Sequence, residues 1–118
     1  MSKVQLGQTD IYVYPVGYGC MGITHAFGAP MSKEDGIKVI QEAYRIGYTF
    51  FDTAECYTGQ YEDGTMSYNE EIVGEALHDV RDKVVIATEF GVIRGENELH
   101  HDRSCCWRHE RIDSRRKN

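Results

Sequence analysis

An aspartate followed five residues later by a tyrosine, Asp52 and Tyr57, is the pair of side chains best placed to do chemistry. Asp52 closes an apolar, β-rich run, and the C-terminal end of a buried strand is where a parallel α/β fold gathers its reactive groups. A phenol there can donate a proton to a carbonyl oxygen while the carboxylate holds the surrounding network. The plainer reading is an aspartate opening a loop and an exposed loop tyrosine, and spacing alone leaves both open. Gly17, Gly19 and Gly22 spell G-x-G-x-x-G. A dinucleotide fingerprint needs its last glycine to open a helix, so that the helix N-terminus meets the pyrophosphate. Ten residues, Pro30 among them, separate Gly22 from the next helical pattern. The Rossmann reading fails that context, which favours either a flexible loop beside a strand end or a loop whose backbone approaches a flat ligand. His100, His101, Cys105, Cys106 and His109 are a third set with metal-binding types. Adjacent pairs chelate poorly because neighbouring side chains diverge, and zinc sites use spaced pairs, so no metal site is assigned.

The elements that must position these residues follow from periodicity. Residues 3–6 and 11–14 flank turn chemistry at 7–10 and predict a hairpin. Pro15 breaks it, and residues 16–19 suit a short strand. A loop runs to Met31. Ser32 is placed to cap a helix with Glu34 and Asp35 in its first turn, Ile37, Ile40, Ala43 and Tyr44 on one face, and Gly47 as its stop. Residues 48–51 predict a strand ending at Asp52, and 53–68 a polar loop. Asn69 is expected to cap a second helix that buries Ile72, Val73, Ala76, Leu77 and Val80. Val84, Val85, Ile86 and Ala87 suit a strand buried on both faces. The order is a hairpin followed by β-α-β-α-β, which implies a parallel sheet with helices outside.

The 118 residues suffice for one small domain. With 41% hydrophobic and 27% charged residues the chain reads as globular. A net charge of −6 argues against nucleic-acid binding. No apolar run is long enough to span a membrane, and the first residues lack a secretory core. Four cysteines, two of them adjacent, suit a reducing, cytoplasmic setting. Residues 1–93 carry 6 Lys/Arg against 14 Asp/Glu, and residues 94–118 carry 7 against 5. This change of balance marks an organisational boundary. Beyond it the hydrophobic period is lost, and the tail is expected to be irregular or weakly helical. Arg115, Arg116 and Lys117 read as a solvated end.

The stretch Phe50-Phe51-Asp52-Thr53-Ala54-Glu55-Cys56-Tyr57 resembles the strand-end F-D-T-A-x-x-Y of the aldo-keto reductases. The hairpin, the Gly17-Tyr18-Gly19-Cys20-Met21-Gly22 loop, the Asn69-Glu70-Glu71-Ile72-Val73-Gly74 helix start and the segment from Arg81 to Gly91 are similar to that family in the same order, over residues 3 to about 93. The resemblance implies part of a (β/α)8 TIM barrel that reduces small aldehydes or ketones with NADP(H). It implies Tyr57 as general acid and Asp52 as its support. It also implies that Gly19, Cys20 and Met21, with Asp52, line the nicotinamide side of the cofactor site.

One position departs from the pattern. The family's A-T-K-F-G reads Ala87-Thr88-Glu89-Phe90-Gly91 here, so Glu89 replaces the lysine expected to ease the phenol's proton toward the substrate. The tetrad histidine matches none of His100, His101 and His109. A TIM barrel needs about 250 residues, so an incomplete barrel with open sheet edges is expected. The abrupt tail reads as a shifted reading frame. The chain is therefore read as an oxidoreductase by lineage, inactive as it stands. The alternatives are a non-catalytic remnant or interaction fragment and a small metal-binding module.

Overall fold

The computed structural model describes residues 1–94, 99–101 and 111–112. The chain begins with an antiparallel hairpin of β1 (Val4–Gln5) and β2 (Tyr12–Val13), with Val4 opposite Val13. Thr9 Oγ1 donates to the Leu6 carbonyl at 2.6 Å, and Gly7 takes a left-handed φ of 58° that a side chain would resist. β3 (Tyr18–Gly19) follows Pro15 and ends in a 3₁₀ turn at Met21–Ile23.

The first helix, α1 (Lys33–Arg45), starts where expected. Ser32 Oγ accepts from the Asp35 amide at 3.2 Å. Its end is a Schellman motif: the Tyr48 amide donates to Ala43 O and the Gly47 amide to Tyr44 O, with Gly47 at φ 118°. Next come β4 (Phe50–Ala54), β5 (Thr58–Gln60), β6 (Met66–Tyr68), α2 (Asn69–Ala76), a 3₁₀ segment at His78–Lys83 and β7 (Val85–Glu89). β8 (Val92–Arg94), β9 (Leu99–His101) and β10 (Arg111–Ile112) complete the order.

The main sheet runs β10-β7-β4-β3. β3, β4 and β7 are parallel, in chain order, and β10 adds an antiparallel edge. Gly19, Asp52 and Ala87 fall in one row across the three parallel strands, and Ala54 lies opposite Glu89. Side chains alternate between faces along a strand. Phe51 belongs to the core under the helices and Thr53 bonds to Asn69 of α2. Asp52 and Ala54 therefore share the other face, with Ala87 and Glu89 beside them. The core is one cluster built from Cys20, Ile23, Ile40, Ala43, Phe51, Ile72, Val73, Leu77 and Val84. Gly36 lets the helices approach: a Cβ there would lie 2.9 Å from Ile23 Cγ2 and 3.2 Å from Ile72 Cγ2.

Several expectations are corrected. Asn69 is not a cap: Tyr68 holds that position without a side-chain bond, and the buried Asn69 amide is spent on other segments. Residues 53–68 are not only loop, because β5 and β6 pair there as a hairpin, with the Asp63 carboxylate accepting from Thr65 in its turn. α2 stops at Ala76, and Val80 lies at a non-helical kink. β7 is partly buried along its length rather than buried on both faces, and Glu89 at its end is exposed. The tail is not wholly irregular: β8 and β9 pair antiparallel, and β10 covers the β7 edge expected to be open. Cys105, Cys106 and His109 lie outside the described residues. No described helix is long and apolar enough to cross a membrane.

Candidate active site

The parallel strands deliver Gly19, Asp52 and Glu89 to the same end of the sheet, and the turn after β4 brings Tyr57 over it. The Tyr57 amide donates to Ala54 O at 3.1 Å, closing that turn directly onto the strand end. The Glu55 amide donates to Glu89 O at 2.9 Å, stitching the ends of β4 and β7 together. The Tyr57 ring stacks on His25, with centroids 6.0 Å apart and planes 20° from parallel. His25 Nδ1 lies 2.8 Å from Thr58 O, and a carbonyl only accepts, so that nitrogen carries the hydrogen. Partial burial pushes the Tyr57 phenol above the ordinary tyrosine value, and the carboxylates of Asp52 and Glu89 push it further, followed by Cys56 and Cys20. Cys20 is fully buried. Burial, and then the Asp52 carboxylate, push its thiol up to about 12.

Sequence reasoning missed the network beneath the site. Asn69 and Thr24 are each 1% exposed. Asn69 Nδ2 donates to Cys20 O at 2.8 Å and to Thr24 Oγ1 at 2.9 Å, and Thr53 Oγ1 donates to Asn69 Oδ1 at 2.6 Å. Thr24 Oγ1 in turn donates to Tyr57 O at 2.8 Å. The signal available was an asparagine beside a buried helix face; its local spacing suggested a cap, and only distant partners reveal the other role.

Residues 15–117 match the model of the Aldo/keto reductase family. The chain belongs to that family. It is similar to the Glycine max protein named "Probable aldo-keto reductase 1", with 41% identity over 114 residues, 90% of this chain and 31% of the relative. Among solved structures it is similar to the aldo-keto reductase AKR11C1 from Bacillus halodurans in its holo form (TM-score 0.64, 28% identity, 86% of this chain and 30% of that one). It is also similar to the thermostable aldo-keto reductase Tm1743 in complex with the inhibitor epalrestat (TM-score 0.56, 29% identity, 75% and 31%). The chain spans about a third of the length of these relatives. The family match extends to residue 117.

Glu89 is exposed at the end of β7 and close enough to Tyr57 to raise it. The structure thus brings Asp52, Tyr57 and Glu89 together, with Gly19, Cys20 and Met21 alongside. These residues fit one end of a nicotinamide cofactor better than the other. Among the described residues a Cβ built on Gly19 meets no atom within 4 Å, so the strand end is open there. For the diphosphate, loops 20–31, 55–68 and 89–91 offer no Lys or Arg. The neighbouring cleft of about 440 Å³ is lined by Glu55, Glu70 and Glu71. Among the described residues no group of three or more His, Cys, Asp or Glu could hold a metal ion.

Proposed function

We propose that this sheet end is the proton-donor corner of an NADP(H)-dependent carbonyl reductase barrel, and that the corner is catalytically silent in this chain. In this reading the three parallel strands are the first strands of the barrel. The Tyr57 hydroxyl would give its proton to the oxygen of an aldehyde or ketone as negative charge builds there. Asp52 holds the local network, and the segment from Gly19 to Met21 forms the wall for the nicotinamide, which supplies hydride when bound. Supporting this reading is the family membership of the chain and the placement of Asp52 and Tyr57 at one strand end.

Silence follows from the charges. A phenol donates to an incipient alkoxide most readily beside a cation, which stabilises the phenolate left behind. Here burial and two carboxylates all favour the protonated phenol. An exposed Glu89 is screened, so its cost falls well below the roughly 4 kcal/mol of two charges 4 Å apart at a dielectric of 20. Its sign is still adverse, and the surrounding loops supply no Lys or Arg to offset it. The single observation that carries the reading is Tyr57 lying under the influence of both Asp52 and Glu89.

The test is NADPH titration followed by fluorescence, with reduction of a generic aldehyde as the activity measurement. No saturable binding and no turnover are expected. Turnover abolished by Tyr57→Phe would overturn the silence and keep the proton donor. Turnover that survives Tyr57→Phe would overturn both.

A further inference from the structure

We propose that Thr24 and Asn69 act as a lock that positions Tyr57 against Asp52, a role that rests on Tyr57 being the working phenol of this corner. The bonds form one continuous path. The Asp52 carbonyl accepts from the Cys20 amide at 2.9 Å, and the Cys20 carbonyl accepts from Asn69 Nδ2 at 2.8 Å. The second hydrogen of the same amide goes to Thr24 Oγ1, and the Thr24 hydroxyl donates to Tyr57 O. Asn69 also donates its own backbone N–H to Tyr57 O at 3.1 Å. The Tyr57 carbonyl is therefore gripped from two sides.

The direction of each bond is fixed by chemistry. A side-chain amide has two N–H hydrogens, and both are used. Thr24 Oγ1 already accepts from the amide, so its own hydrogen must go to the carbonyl of Tyr57, which can only accept. Thr53 fills the remaining amide oxygen at 2.6 Å. No buried side-chain polar atom among the described residues lacks a partner. A saturated network at 1–2% exposure has one geometry, because any slip leaves a desolvated group unpaired. Its two outputs are the backbone of Cys20 and the backbone of Tyr57, which are the two walls of the candidate site. Thr24 and Asn69 act through Tyr57 and touch no reacting atom, so they are positioning residues.

The readout is the titration of Tyr57, which senses Asp52 from β4, Glu89 from β7, Cys20 from the β3 end, Cys56 on its own turn and His25 stacked on its ring. The experiment is carbon NMR of the full chain with labelled tyrosine, the Tyr57 signal being assigned by its loss in Tyr57→Phe. Thr24→Val keeps the shape and removes the hydroxyl. Its Tyr57 midpoint is expected to fall toward the ordinary value near 10, as the phenol leaves its half-buried place beside the carboxylates. Thr24→Ser restores the hydroxyl and is expected to keep the wild-type midpoint. Ile40→Val loosens the core from α1, which carries no member of the network, and is expected to leave it unmoved. Three results would overturn the lock: no movement in Thr24→Val, an equal fall in Thr24→Ser, or an equal fall in Ile40→Val. Asn69→Ala is the harsher variant, and the conclusion does not need it to fold. Turnover plays no part in this measurement, so the lock and the reductase reading fail separately.

Discussion

Gly59→Ala is the substitution that most directly challenges the packing around Tyr57. Gly59 lies in β5, and a Cβ on it would sit 2.2 Å from the Thr24 carbonyl oxygen and 3.1 and 3.2 Å from the Pro30 ring. A backbone oxygen cannot rotate away, so the β5–β6 hairpin and loop 20–31 must separate by roughly 1 Å to reach ordinary contact. The exposed Tyr61 hydroxyl spans the gap farther along the hairpin, to Met31 O at 3.0 Å, and two bonds beside Gly59 cross it: Thr24 Oγ1 to Tyr57 O and His25 Nδ1 to Thr58 O, both 2.8 Å. Losing them costs about 1 kcal/mol each, and the overpacking adds about 1–3 kcal/mol. The expected destabilisation is about 3–5 kcal/mol, a large share of the roughly 5–15 kcal/mol available to a small domain. The assay is urea unfolding followed by circular dichroism, with Gly74→Ala as the internal contrast. Gly74 lies inside α2, and a Cβ there meets nothing within 4 Å. Relief of the helical glycine penalty is expected to stabilise by about 0.5–1 kcal/mol. If Gly59→Ala unfolds at the wild-type urea concentration, the hairpin does not lie on Thr24, and the account of how Tyr57 is held is wrong.

Two further outcomes follow from the charges at the sheet end. The buried Cys20 thiol, pushed up to about 12, keeps its proton in the folded state when the unfolded chain has already released it above about 9. The unfolded state then binds fewer protons, so stability is full below pH 9 and falls progressively toward pH 12. Tyr18 and Tyr57, both raised, add to the decline above pH 10. Cys20→Ala is expected to flatten the early part of this loss in urea unfolding series, and an unchanged slope would refute burial of the thiol. Glu89→Gln removes one of the two carboxylates facing Tyr57 and is expected to lower the phenol midpoint while leaving it above 10, because burial and Asp52 remain. The labelled-tyrosine titration reads this directly, and a midpoint that stays in place would show that residue 89 lies out of range.

Much of this molecule was legible in the order of its residues, because local rules act over one turn or one strand. Ser32 with Asp35 and Gly47 with Tyr48 mark both ends of α1 through bonds spanning three to five residues. The alternation around Phe51 sends Asp52 to the opposite face whatever the tertiary arrangement. The motif around Asp52 and Tyr57 was enough to expect the family. The rest depended on partners far apart in the chain. Asn69 looks like a cap by spacing, and becomes the centre of a buried network only because Cys20, 49 residues away, and Thr24, 45 away, are folded against it. No rule of spacing could foresee that the Gly59 hydrogen faces a carbonyl of loop 20–31. The strands at 92–94 and 99–101, and the edge strand at 111–112, escaped because their segment lacks a hydrophobic period; their pairing comes from backbone hydrogen bonds, which composition does not encode. Sequence determined which groups this chain carries and at which strand ends they stand. The tertiary structure alone decided their mutual field, since charge, burial and ring stacking at Tyr57 arise from residues that only the fold brings together.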